Sequence, residues 1–331
     1  MTDVTVIGAG VAGLCVARSL LDRGAGVTLI DRQRDLGPGA CSWWAGGMLA
    51  PYCEGESAEE PVVRLGQEAA DWWEAKTQAV HRQGSLVVSP ARDRSELTRF
   101  ARRTTGFREV SGAEIDALEP DLGGRFAKGL FFETEAHLAP REALQRLRAS
   151  VLADGAEYVV ADADPVEYAA KGLTVDCRGF QARADLPDLR GVKGEMLVLS
   201  CPDVSLSRPV RLLHPRIPLY IVPRGDGVFM LGATMIEGQA GRHVTARALL
   251  ELLSAAYAIN PAFGEAEVLE IGVDSRPAFA DNLPRIRQSG NLIRANGLFR
   301  HGFLLAPALA RMVAERIFDN TTPEVMDETA T

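Results

Sequence analysis

A chain of 331 residues, 47% hydrophobic and 24% charged, is long enough for one large or two interleaved globular domains. Its net charge of −8 argues against a nucleic-acid or anionic-membrane surface, and no apolar run reaches the ~18 residues that span a bilayer. The five cysteines show neither metal-like spacing nor an even framework, and Asp3 interrupts any basic leader, so a reducing, cytoplasmic setting is expected.

The chain opens on "DVTVIGAGVAGLCVARSLLDRGAGVTLID". Val4, Val6 and Ile7 predict a buried strand, Leu14 to Leu21 a helix stopped at Gly24 or Gly26, and Val27 to Ile30 a second strand ending at Asp31. Between them Gly8, Gly10 and Gly13 space a G-x-G-x-x-G turn. Gly8 allows the bend, Gly10 allows a pyrophosphate to approach the backbone, and Gly13 allows helix and strand to pack closely. Asp31, 18 residues beyond Gly13, is placed to accept from a ribose diol. Strand, turn, helix, strand and acid in this order predict a bound dinucleotide.

Residues 32–56 form a glycine-rich loop whose Trp43 and Trp44 are expected to cover a ligand. Pro61 to Val80 reads as one amphipathic helix, "GSLVVSPARD" as a strand, and Arg94 to Arg103 as a charged surface helix. A short helix ended by Pro120, the strand "AKGLFFET", a helix running into "AEYVV" and the strand "GLTVDCRG" follow. From "GEMLVLSC" to "VFMLGATM" the alternation predicts an antiparallel sheet. Arg242 to Tyr257 reads as a helix, "EVLEIGVDSRPAF" as a strand, and residues 291–318 as a strand, a glycine turn and a final helix. The tail from Asp319 to Thr331 is expected to fray.

Several separated motifs carry a resemblance: the N-terminal glycines with Asp31, "ACSWWAGGMLAP", "YIVPR", "LGATM", "SRPAFADNLP" and "GLFRHGFLLAPALA". In this order they resemble the FAD-dependent amino-acid oxidases of the D-amino-acid oxidase and sarcosine oxidase superfamily, nearest to the glycine oxidases of thiamine biosynthesis. The resemblance covers nearly the whole chain. It implies an α/β fold in which a Rossmann-like FAD-binding domain (1–82, 137–192 and 276–331) is interleaved with a β-rich α+β substrate domain (83–136 and 193–275).

The resemblance also implies site residues. FAD is expected to bind non-covalently against Gly8, Gly10, Gly13 and Asp31, the loop residues Ser42, Ala45, Gly46, Gly47 and Met48, and the C-terminal Gly297, Arg300, Gly302, Phe303 and Leu304. Val166 is expected to meet the adenine. For the substrate, Arg276 is implied to hold the carboxylate and Tyr220 to support it, with Met235, Arg300 and Met48 around them. No acid–base residue is implied. The implied reaction is oxidative deamination of glycine, extending to sarcosine or small D-amino acids, with O2, in a homo-oligomer that feeds thiazole synthesis. A dehydrogenase using another acceptor and a non-catalytic flavin-binding subunit are the alternatives.

Three features depart from this pattern or stand outside it. Asp31 stands where many FAD proteins carry glutamate, and "TVDCRG" replaces the usual Ala-Ala-Gly-like strand ending. His301 reads either as a side chain that tunes the pocket or as a solvent-exposed histidine, the second being preferred. His81, His137, His214 and His243 form no metal-spaced pair, so no metal is expected.

Overall fold

A computed structural model describes residues 2–215, 218–238 and 243–327. The apolar side chains of Val4, Val6 and Ile7 are buried, which sets the strand Asp3–Ile7 inside a six-stranded sheet. Gly26–Asp31 and then Glu157–Val160 run parallel to it on one side. Leu173–Asp176 and Leu292–Asn296 run parallel on the other, and antiparallel Arg285–Ser289 closes the edge. The chain leaves the first strand toward one side and returns on the other. The carboxyl ends of these strands therefore form a switch point, where open α/β sheets bind ligands.

The helix Val11–Asp22 packs against the C-terminal helix Gly302–Asp319 and against Pro140–Ala153. No side chain caps its N-terminus, a contribution of about 1 kcal/mol where present. Burial of Val11, Leu14, Val16 and Leu20 contributes ~1.5–3 kcal/mol each, so packing holds the helix and leaves its first N–H groups bare.

In the nine-stranded second sheet, Arg190–Ser200 pairs with Glu267–Ala278 along its length and with Val228–Gly232 and Ile236–Glu237 on its other side. Leu219–Pro223 and Val210–Leu212 continue it antiparallel. A parallel pairing of Val210–Leu212 with Ser85–Val88 then extends the expected antiparallel region to Lys128–Phe132 and Arg108–Ser111. A small third sheet sets Met48–Leu49 and Val80–His81 on either side of Ala136–Leu138. The two-domain division stands as a proposal, with Arg190–Ser200 and Glu267–Ala278 running across its boundaries near 192 and 275.

Three expectations are corrected. The single helix from Pro61 to Val80 is two, Glu60–Gly66 and Ala69–Thr77, with Val80 in a strand. Gly66 sits under the C-terminal helix, where a Cβ would lie 2.7 Å from Leu304 Cγ. The tail is docked as far as Asp327: Val325 is buried, its carbonyl accepts from the Ile286 N–H at 2.9 Å, and Asp327 pairs with Arg285 and Arg287 at 2.8 and 2.6 Å. Residues 328–331 lie outside the described residues. The helix expected from Arg242 is Ala246–Ile259, capped by Thr245 Oγ1 accepting from the Ala248 N–H; Arg242 lies outside the described residues.

Candidate active site

Gly8, at φ +102°, turns the chain out of the first strand, and a Cβ there would lie 2.7 Å from the Cys177 carbonyl oxygen. At Gly13 a Cβ would fall 1.7 Å from the Gly8 carbonyl oxygen, so Gly13 serves packing and does not line the cavity. Gly10 is different. The nearest atom to a Cβ built there is Ser42 Oγ at 3.6 Å, so the bare backbone faces open cavity with the uncapped helix N-terminus behind it.

The cavity, about 580 Å³, runs from Asp31 and this turn to Arg276 and His301. Asp31 ties the turn to the second strand: Oδ2 accepts from the Ala9 N–H at 2.7 Å and Oδ1 from the Gln33 N–H at 2.8 Å. Each oxygen keeps a further lone pair for a ribose hydroxyl. Ala161, Asp162 and Ala163 line this end of the cavity, whereas Val166 is 59% exposed on Pro165–Ala169 and stands away from it. The Val166 N–H is committed to Asp164 Oδ1 at 2.8 Å, the cap of that short helix. The divergent Cys177, Arg178 and Gly179 also line the cavity, with Arg178 forked onto Asp176 at 2.9 Å.

In the middle of the cavity, the turn Cys41–Trp44 presents Ser42 and Trp44, followed by Ala45, Gly46, Gly47 and Met48. Trp43 does not reach it; its ring lies 4.5 Å from the Arg141 guanidinium instead. Gly47 has φ +74°, and a Cβ there would meet the Leu138 carbonyl at 2.2 Å. Arg224, unassigned from sequence, fixes this loop by donating to the Gly46, Ala45 and Leu138 carbonyls at 2.8, 3.3 and 3.2 Å. Burial pulls its pKa down to about 10, which leaves it charged near neutral pH.

Opposite lies the C-terminal turn. Gly297, at φ +85°, shapes it while packing on Phe279, and does not itself line the cavity. The helix beyond has no side-chain cap, and its first intrahelical bond is Leu305 N–H to the His301 carbonyl at 2.8 Å. The N–H groups of Gly302, Phe303 and Leu304 thus have no intrahelical partner, and all three residues line the cavity.

At the far end Arg276 lies over the backbone of Gly194, where a Cβ would come within 2.2 Å of the guanidinium. It donates to the Thr234 carbonyl at 3.1 Å, and among the described residues no carboxylate pairs with it. The Tyr220 side chain is clasped by Gly46 and Gly232: a Cβ built on the first would lie 2.8 Å from its ring and on the second 2.5 Å from its hydroxyl oxygen. Met235, 55% exposed, borders the cavity beside Arg300.

Sequence reasoning missed Glu54 and Arg211. Glu54 accepts from Arg211 Nη2 at 2.6 Å and pairs with Arg300 Nη2 at 2.6 Å. Burial would raise its pKa, but Arg300 and Arg211 hold it well below the usual carboxylate range. His301 is 3% exposed, not solvent-exposed as preferred, because it stands at the start of the final helix against Glu54, 3.5 Å from Nδ1. Burial pulls its pKa down to about 4 against the opposing pull of Glu54. A buried acid in "APYCEGE" looks no different in sequence from a surface acid.

The family described as FAD dependent oxidoreductase matches residues 3–316. The chain belongs to that family. It is 56% identical over 315 residues to a Rhizobium etli protein named as thiamine biosynthesis oxidoreductase ThiO, covering 95% of this chain and 96% of that one. It is 27% identical over 349 residues to a glycine oxidase of Pseudomonas aeruginosa, covering 94% and 93%. The solved glycine oxidase of Geobacillus kaustophilus superposes with a TM-score of 0.79 at 20% identity, covering 98% and 97%, a likeness of fold alone.

FAD is the family's cofactor, and the residues present fit it. The open backbone at Gly10 with its helix N-terminus suits a pyrophosphate. The free amides of Gly302, Phe303 and Leu304 suit the electron-rich end of a flavin. No helix among the described residues is long and apolar enough to cross a membrane.

Proposed function

We propose that the protein oxidises the amine of glycine with O2 and water, giving glyoxylate, ammonia and hydrogen peroxide. Arg276 carries this reading: a guanidinium on the cavity wall, near Tyr220, that no carboxylate of the described residues pairs with. Its planar fork suits a substrate carboxylate through two charge-assisted hydrogen bonds. Burial pushes the Tyr220 hydroxyl pKa above its usual value, which keeps it a protonated donor to the same carboxylate.

The bound flavin supplies the acceptor for the hydride leaving the substrate Cα. The chain's own residues fix the carboxylate, exclude water and offer free amides where negative charge develops. Met48, Met235 and Phe303 line the same cavity and crowd groups beyond Cα, a graded exclusion because methionine adapts its shape. Sarcosine and D-alanine are then slower substrates, and bulky D-amino acids poor ones. The names of the Rhizobium and Pseudomonas relatives support glycine and a place in thiamine synthesis.

The test is kcat/KM by oxygen uptake across glycine, sarcosine, D-alanine, D-phenylalanine and L-alanine. Glycine is expected first and L-alanine inert. A preference for D-phenylalanine would reject glycine as substrate, and turnover with a dye but not with O2 would make the protein a dehydrogenase.

A further inference from the structure

Three arginines border the substrate end of the cavity, and the protein treats them differently. Arg211 and Arg300 are bridged by one carboxylate, with Glu54 Oε1 at 2.6 Å from the first and Oε2 at 2.6 Å from the second. Arg300 is held further by donating to Ser57 Oγ at 2.7 Å. Arg276 has no such partner among the described residues, only the Thr234 carbonyl. Glu54 is 7% exposed and lines the same cavity as Arg276 and Tyr220. The charges also meet at Tyr220: its hydroxyl is acted on by Arg276, Arg211 and Arg300 in one sense and by Glu54 in the other.

We propose that Glu54 restricts this pocket to substrates with a single carboxylate, because its own carboxylate occupies the place where the distal acid of an amino dicarboxylate would pair with Arg211 and Arg300. This rests on the reading of Arg276 as the anchor of a substrate carboxylate. The physical basis is charge matching. Arg211 and Arg300 have side-chain exposures of only 15% and 25%, so water is a poor substitute for their counter-ion. With Glu54 present, a second ligand carboxylate meets a like charge in the space it needs, and repulsion there is a strong selector. With Glu54 removed, two largely desolvated guanidinium groups lose the carboxylate that bridges them, and a ligand carboxylate replaces it.

The experiment uses FAD-loaded protein and two unreactive probes, acetate and succinate, titrated calorimetrically at pH 8 into wild type and Glu54→Ala. Wild type is expected to bind succinate no more tightly than acetate. Glu54→Ala is expected to bind succinate at least tenfold more tightly than wild type does and to raise the succinate-to-acetate affinity ratio at least tenfold, because only succinate meets Arg276 and the vacated place with one molecule. Its kcat/KM for D-aspartate relative to glycine should rise at least tenfold as well. Glu54→Ser, which likewise removes the charge and vacates the space, serves if the alanine variant fails to fold. Wild type binding succinate tenfold more tightly than acetate overturns the proposal without any variant, and so does a folded variant with an unchanged succinate-to-acetate ratio. If wild type binds neither probe, the carboxylate anchor itself falls; if acetate binds and only the variant arm fails, the anchor stands and the role of Glu54 falls.

Discussion

Arg276 and Tyr220 were legible only through the family resemblance carried by "SRPAFADNLP" and "YIVPR", since alone they read as a surface arginine and a core or edge-strand tyrosine. Glu54, Arg211 and Arg224 were not, since what distinguishes them is burial and pairing with residues far along the chain. Replacing Arg276 by alanine removes the proposed anchor, a loss on the order of 2–5 kcal/mol for a buried charge contact. We expect kcat/KM for glycine to fall roughly thirtyfold to several-thousandfold, with the flavin absorbance of the purified variant unchanged. Steady-state kinetics beside a visible spectrum checks both. Glu135 offers a stability test. Burial raises its pKa from 4.5 to about 7 in the fold, while its Oε1 accepts from the Cys53 N–H at 2.8 Å. The folded state then binds more protons than the unfolded one between these values, so this contribution is full below 4.5 and lost as pH rises through 7. His301 acts oppositely, since a folded pKa of about 4 lowers stability as pH falls below 6.5. Glu135→Gln keeps the acceptor and removes only the first effect. The variant's melting temperature should therefore gain on wild type between pH 5 and pH 8, by up to about 3 kcal/mol of stability; a constant difference would refute the assignment.

The opening strand, turn and helix were read from sequence almost to their ends, because a glycine turn between a short apolar run and a helical pattern is a local signal. Elements whose form depends on distant partners were read less well. Gly66 at the break lies against Leu304, Val210–Leu212 pairs in parallel with Ser85–Val88, and the tail docks on Arg285 and Arg287. The last two glycines of the turn, Gly10 and Gly13, separate binding from packing. Gly13→Ala puts a methyl 1.7 Å from a backbone oxygen, so the helix must move off the strand, and the apo protein should melt well below wild type. Gly10→Ala meets nothing closer than 3.6 Å in the protein. Its apo melting temperature should stay within a few degrees of wild type while FAD affinity falls at least tenfold. Thermal melts of apo protein and fluorescence titration with FAD distinguish the two, and equal effects on both quantities would contradict this division of roles.

The parallel sheet supplies the glycine turn and Asp31, while the second sheet supplies Tyr220 and Arg276. The final helix runs from the opposite wall into the first sheet's core, so cofactor and substrate ends are set against one packed unit. This arrangement spreads the residues of the family match, 3–316, over both sheets. It also places the proposed carboxylate clamp on the same cavity as the free amides of Gly302, Phe303 and Leu304. The most direct test is one turnover without air. FAD-loaded protein mixed anaerobically with glycine should lose its yellow absorbance and yield one glyoxylate and one ammonia per flavin, and admitting O2 should restore the colour with one hydrogen peroxide. Absorbance that stays unchanged with glycine, sarcosine and D-alanine alike would contradict amine oxidation at this site.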